Sequence, residues 1–224
     1  MTILEAIKER HSVRSYTSKR IPNEIKLILQ TEIDICNKES GLHIQLVTNE
    51  VKAFDGFLSH YGKFSNVQNY IALIGRKSVD LDEKTGYFGE RIALFAQTLG
   101  LNTCWVAMTF KKGVTKEICQ IENDEKLVCV LALGYGTTQG VSHKIKKINE
   151  ICKNETEMPN WYKQGLESAL LAPTAINQQK FEFSRKDNIV SAKSTGGFYS
   201  KVDLGIVKYH FEIGAGTDNF IWQK

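Results

Sequence analysis

The chain has no apolar run of membrane-spanning length, and Met1-Thr2-Ile3-Leu4-Glu5 does not read as a secretory signal. A membrane protein and an exported precursor are therefore not expected, and the composition reads as cytoplasmic. Five cysteines (Cys36, Cys104, Cys119, Cys129 and Cys152) are odd in number and never in C-x-x-C spacing. That argues against both a disulfide framework and a zinc site. Cys104 and Cys129 lie inside apolar runs and are expected as reduced core residues. Excess charge is scarce too, because a net +4 is too small to point to nucleic acid. The short cluster Lys144, Lys146 and Lys147 carries isoleucine rather than an aromatic stacking platform. His11, His43, His60, His143 and His210 have no carboxylate or thiol at motif spacing. No nucleophile–base triad is expected, and no side chain is assigned a catalytic role.

What is present is a chain of 224 residues, 42% apolar and 24% charged, enough to bury a sizeable core. Ile3, Leu4 and Ile7 suggest a short first helix. Pro22 opens a second, with Ile25, Ile28, Leu29, Ile33 and Cys36 on one face. Leu42, Ile44 and Leu46 alternate with His43, Gln45 and Val47, as in a half-buried strand. Tyr70–Ile74, Thr103–Met108 and Leu127–Leu133 are continuous apolar runs of the kind found in strands covered on both faces. Phe88–Leu99 has helical spacing and stops at Gly100.

A polar, basic stretch over 137–158 reads as a connection. It is followed by a helix over Trp161–Leu171, a hairpin around Asp187-Asn188, and a last helix over Val202–Ile213. The pattern predicts an α+β fold with one mixed sheet flanked by helices. The domain division is 1–150 and a shorter 151–224. A faint echo, Gly89 with Gly205, Phe95 with Phe211 and Gly100 with Gly216, hints at related halves and equally fits chance in two amphipathic helices.

Two segments carry candidate chemistry. Arg10, Ser12 and Arg14 stand at alternate positions after the first helix. Two guanidinium forks and a hydroxyl suit a polyanionic group. The same arginines also fit cations gathered at a helix carbonyl end. Far along the chain, Ala172-Pro173-Thr174-Ala175-Ile176-Asn177 forms a small, polar, proline-started turn. Glu90 is read as a residue near the start of the central helix, favoured there by the dipole or serving a packing role. Trp105 is read as core, and Trp161, Phe198, Tyr199 and Phe220-Ile221-Trp222 are assigned no role.

Arg10-His11-Ser12-Val13-Arg14-Ser15-Tyr16 resembles the opening signature of the nitroreductase family of FMN flavoproteins. Gly86-Tyr87-Phe88-Gly89-Glu90 through Trp105 resembles its central helix and following strand, and Leu131–Gly136 the strand that ends near its cofactor. Pro173-Thr174-Ala175-Ile176-Asn177-Gln178-Gln179 resembles its P-S-S-x-N-x-Q motif. In most members that motif follows the second helix, and two subunits build two flavin sites. Here residues 37–41 lack it, and it falls in the last quarter, so the chain resembles a fused branch in which one polypeptide imitates the dimer.

The resemblance implies one FMN site per chain. Arg10, Ser12 and Arg14 would hold the phosphate, with Lys144 and Lys146 approaching it, although those lysines also fit a solvated charge run. Pro173, Thr174, Ala175 and Asn177 would border the ring, Asn177 at its pyrimidine edge. The backbone of Trp105, Val106, Ala107 and Met108 would face N5. Ala107-Met108 stands where a glycine is common, and Ala175 where a hydroxyl is. The implied activity is an NADH- or NADPH-dependent, ping-pong reduction of a nitroaromatic, quinone or similar small acceptor. A protein that holds FMN for sensing or storage without turnover is the alternative. A monomer is permitted because the dimer is imitated within one chain.

Overall fold

The computed structural model describes residues 1–152 and 157–223. Fifteen helices and strands follow in chain order. The first half has α1 (Ile3–Glu9), α2 (Asn23–Ser40), β1 (Gln45–Thr48), α3 (Phe57–Tyr61) and β2 (Asn69–Arg76). It continues with α4 (Leu81–Thr98), β3 (Asn102–Val106), α5 (Lys112–Ile118) and β4 (Glu125–Gly134). Then come α6 (Ile148–Ile151), α7 (Asn160–Leu170), β5 (Phe181–Lys186), β6 (Ile189–Ser194), α8 (Ser200–Ala215) and β7 (Ile221–Trp222).

The fold is α+β, and its strands divide between two sheets instead of the single one expected. The larger has order β1-β2-β4-β3 with every neighbour antiparallel. The smaller, β5-β6-β7, is the mixed one, since β7 runs parallel to β6. The larger sheet is covered on both faces, which is why its central strands read as unbroken apolar runs. Alternation along β2 sends Ile71 and Leu73 into the cluster under α2, α4, α7 and α8. Tyr70, Ala72 and Ile74 enter a second cluster with Phe54, Phe64 and Phe110.

Helix α4 begins at Leu81, well before the expected Phe88, and the reason lies in its glycines. Glycine lowers helix propensity, so a sequence scan starts the helix after Gly86. Here Gly86 is a crossing point. A Cβ on it would overlap the carbonyl of Val202, and one on Gly205 would overlap the carbonyl of Glu83 and lie 2.6 Å from the Tyr87 nitrogen. The contacts are reciprocal, since each glycine meets the residue three before and the residue one after its counterpart, as across a two-fold axis. The residue that answers Gly205 is thus Gly86, one helical turn from the expected Gly89. Gly89 instead makes room for the Trp105 ring. Lys208 pairs with Glu83 across the same crossing, and the Tyr87 hydroxyl donates to Glu212.

The expected connection over 137–158 includes residues 153–156, which lie outside the described residues. Its described part contains α6, whose Ile151 is fully buried, and residues 144–146 are strapped to Gln179 beside the Pro173 turn. Helices α3 and α5 and the two-residue β7 have no counterpart in the sequence pattern, being too short to show a period.

Candidate functional site

A cleft of about 320 Å³ opens between the segment after α1, the end of β3, the turn after α7 and the head of α8. Its walls bring together segments that are far apart in the chain. Ser12 and Arg14 come from the extended stretch after α1, which a parallel bridge from Ser12 to Thr103 holds beside β3. Trp105, Val106, Ala107 and Met108 form the run that leaves β3. Pro173, Thr174 and Ala175 arrive from the turn after α7. From the sequence-derived set, these are the residues that share one cavity.

The remaining candidates do not line it. Arg10, at the C-terminal end of α1, is 3% exposed, and its Nε lies 3.3 Å from the Glu90 carboxylate. A buried anion has drawn it away from the face that alternation with Ser12 and Arg14 would have given it. Asn177 uses its carboxamide elsewhere. Its Nδ2 donates to the Lys144 carbonyl at 2.9 Å, and its Oδ1 accepts from Gln179 Nε2 at 2.9 Å. Lys146 is tied down by its ammonium, whereas Lys144, exposed, takes part only through its backbone carbonyl. Lys146 Nζ donates to the Gln179 carbonyl at 2.6 Å, and Gln179 Nε2 donates to the Lys144 carbonyl at 2.7 Å. Gln179, 3% exposed, thus buckles the 144–146 segment to the turn. Its signal in the sequence was present, as the last residue of the quoted motif, but no role was assigned to it.

Beneath the cleft, Glu90 has no exposure at all. Since α4 starts at Leu81, Glu90 sits in the middle of the helix and the dipole reading does not apply. It accepts the Trp105 indole N–H at 2.7 Å and contacts His210 Nε2 at 2.9 Å, while His210 Nδ1 faces the Ser168 carbonyl at 3.1 Å. Both imidazole nitrogens thus face oxygen atoms of neighbouring groups. Burial by itself would raise the Glu90 carboxyl, but the Arg10 charge and the His210 and Trp105 hydrogen bonds outweigh it and hold it below the usual range. The network fixes the rotamer of Trp105 and joins the clamp segment, α4, β3 and α8.

Several lining residues were missed or left without a role. Phe198 and Tyr199 stand at the start of α8, with Val202, Asp203 and Ile206 on its next two turns. Tyr199 has φ 52°, a left-handed conformation uncommon for a residue with a side chain. Asp203 is 5% exposed. Its Oδ1 accepts from the Ala175 backbone N–H at 2.9 Å and its Oδ2 from Gln178 Nε2 at 2.6 Å. Burial pushes its carboxyl up to about 6, against those two hydrogen bonds. These bonds pin a turn in which Ile176, Asn177 and Gln179 all have positive φ. A spacing search cannot find Asp203, since nothing in Lys201-Val202-Asp203-Leu204 differs from an ordinary amphipathic helix.

The cleft wall carries a cation at Arg14, a hydroxyl at Ser12 and a carboxylate at Asp203 among mainly apolar residues. Fold and cleft define an α+β protein in which α4 and α8 cross at a glycine pair and a cleft gathers the segment after α1, the end of β3, the turn after α7 and the head of α8.

The chain matches the family described as "Putative TM nitroreductase" over residues 2–215, and it belongs to that family. Among solved structures it is similar to a protein of Thermotoga maritima described as a putative nitroreductase. That match has 24% identity and a TM-score of 0.65, covering 96% of this chain and 83% of the other. A nitroreductase family protein of Streptococcus pneumoniae matches at 17% identity and TM-score 0.56, covering 69% of this chain and 100% of the other. A putative nitroreductase of Desulfovibrio desulfuricans, solved in complex with FMN, matches at 15% identity and TM-score 0.57, covering 71% and 99%. These likenesses show the nitroreductase fold. No curated protein matches the chain. No helix among the described residues is long and apolar enough to cross a membrane.

Proposed function

We propose that the chain is an FMN-dependent oxidoreductase that takes hydride from NADH or NADPH and passes it to a small acceptor such as a nitroaromatic or a quinone. The observation that carries this is the meeting of Ser12 and Arg14 with Pro173, Thr174 and Ala175 around one cleft. Family membership and the FMN complex of the Desulfovibrio desulfuricans protein support it.

The donor set fits the cofactor. Arg14, which is exposed, and Ser12 can take a phosphate through a guanidinium fork and a hydroxyl. Apolar lining residues such as Trp105, Val106 and Ile206 suit a planar ring. When bound, FMN would supply the hydride chemistry, and the protein's part is positioning and electrostatics. The Glu90 network holds Trp105 in place, the strap at Gln179 holds the turn, and Phe198 and Met108, both more than half exposed, leave the mouth open to a second substrate. The reciprocal crossing of α4 and α8 supports the further reading that residues 1–150 and 151–224 imitate a two-subunit assembly, with one flavin per chain in a monomer.

Purified protein tests this directly. The expected result is a yellow protein with one FMN per chain, bleached by NADPH or NADH and recoloured by a quinone. Arg14→Ala should weaken FMN binding by about 10-fold or more, the loss of one charge-assisted pair. A protein that stays colourless with excess FMN refutes the reading, whereas tight FMN that no nicotinamide bleaches selects the storage alternative.

A further inference from the structure

The cleft holds two ionisable groups of opposite formal charge, Arg14 and Asp203. Arg14 is absorbed by the proposed function as a phosphate partner. Asp203 is not, since a buried carboxylate works against negative charge arriving on a bound ring. Its surroundings leave that charge uncompensated. The turn offers only the neutral Ala175 N–H and Gln178 amide. From β4 comes the Cys129 thiol and from the head of α8 the Tyr199 phenol, both raised by burial and so neutral at physiological pH. Asp82 of α4 acts on both of those groups, Lys112 of α5 and Lys126 of β4 act on Cys129, and Asp82 is itself paired to Lys126 at 3.1 Å. Asp203 has no cationic partner among the described residues. Each Oδ accepts one hydrogen bond and keeps a lone pair, so a proton can bind without displacing Ala175 or Gln178.

We propose that Asp203 is the proton-coupling residue of the cleft, taking up one proton when negative charge is delivered to the ligand beside it. The inference rests on the flavin reading above. When hydride from the nicotinamide donor leaves a net negative charge in the cleft, one Oδ of Asp203 binds a proton from solvent. The carboxylate becomes a carboxyl, and the charge of the cleft returns to its starting value. No other bond forms or breaks in that step, and the proton returns to water when the electrons leave for the acceptor. The burial that already favours the neutral acid is reinforced by the new charge, so uptake is concentrated on this group rather than on Cys129 or Tyr199. Because Asp203 also holds the turn, its role is distinguished from a structural one by proton count.

Two measurements test this. In flavin-free protein carrying ¹³C-labelled aspartate, the Asp203 carboxyl should titrate with a midpoint near 6, identified by its loss in Asp203→Asn. Titration in the ordinary carboxylate range overturns the proposal. In the FMN-loaded protein, the two-electron midpoint potential of wild type should fall more steeply with pH above about pH 6 than that of Asp203→Asn. The excess corresponds to a tenfold change in the equilibrium per pH unit, about 30 mV. Asp203→Glu should keep the wild-type slope. Equal slopes in wild type and Asp203→Asn, with flavin bound and reducible in both, overturn this inference and leave the flavin reading standing. Failure of wild type to bind FMN overturns both.

Discussion

Gly205→Ala probes the crossing of α4 and α8, and its cost follows from what the new methyl would meet. The Cβ would overlap the Glu83 carbonyl and stand 2.6 Å from the Tyr87 nitrogen. Both obstacles are helical backbone, which cannot swing aside as a side chain can. The helices must separate, and Lys208–Glu83 and Tyr87–Glu212 must stretch with them. Alanine is favoured over glycine in a helix by about 1 kcal/mol. Overpacking typically costs 1–3 kcal/mol, and a clash with rigid backbone belongs at or beyond the top of that range. The net expectation is destabilisation by about 2 kcal/mol or more. At roughly 2–4 °C per kcal/mol for a chain of this size, the melting temperature should fall by about 4–8 °C. Gly113 in α5 is the control, since a Cβ there meets nothing within 4 Å. Gly113→Ala should leave the melting temperature unchanged or raise it. Thermal unfolding followed by circular dichroism measures both, and a Gly205→Ala protein as stable as wild type refutes the crossing argument.

Glu90→Gln strands Arg10 and His210 without their anion and should cost about 3–5 kcal/mol in urea unfolding. Because Glu90 is held below its usual range, its contribution is present at neutral pH and lost as pH falls, so the variant should also lose part of the wild type's acid sensitivity. Gln179→Ala cuts the strap between 144–146 and the turn without altering a cleft-lining residue. It should weaken FMN binding several-fold while leaving the spectrum of bound flavin unchanged, as read by fluorescence quenching. Asp203 works in the opposite sense to Glu90. Its folded carboxyl is raised from 3.8 to about 6, so the stability linked to its proton is full below the unfolded value and gone once pH exceeds the folded one. Asp203→Asn should therefore match wild type near pH 4 and gain up to about 3 kcal/mol on it at pH 7.5, less whatever the weaker hydrogen bonds to Ala175 and Gln178 forfeit. A wild type whose stability does not fall between pH 4 and 7 contradicts this.

Legibility in the sequence followed the range of the interactions. The buried strands β2, β3 and β4 showed as apolar runs because both of their faces are covered, and α2, α7 and α8 showed through their periodic faces. Ser12, Arg14 and the Pro173 turn could be read because local motifs carry their residue types. What escaped was decided by tertiary contact. Arg10 belongs to the same motif as Arg14, yet a buried carboxylate eighty residues away in the chain determines where its guanidinium points. Asn177 has the right carboxamide in the right motif, but Lys144 and Gln179 claim both ends of it. The start of α4 was misplaced because Gly86 is costly locally and is retained for a helix that arrives more than a hundred residues later.

On the proposed two-subunit reading, residues 151–224 stand in for a partner, and their contents say what it would contribute to this cleft. This half retains α7, the turn that follows it, the β5–β6 hairpin and α8. Among the described residues its sheet has three strands against four in the larger one, and its sequence has no second R-x-S-x-R clamp. The retained pieces are those that touch the first half: α8 crosses α4 at Gly205, and the turn is pinned to α8 by Asp203 and to the connection by Gln179. A turn with three positive-φ residues would not hold this shape unaided, since each such residue costs on the order of 1 kcal/mol or more. Asp203 therefore serves the cleft twice, fixing the turn that closes it and placing the one carboxylate in its wall. That double duty accounts for an acid at a position that burial alone would not favour.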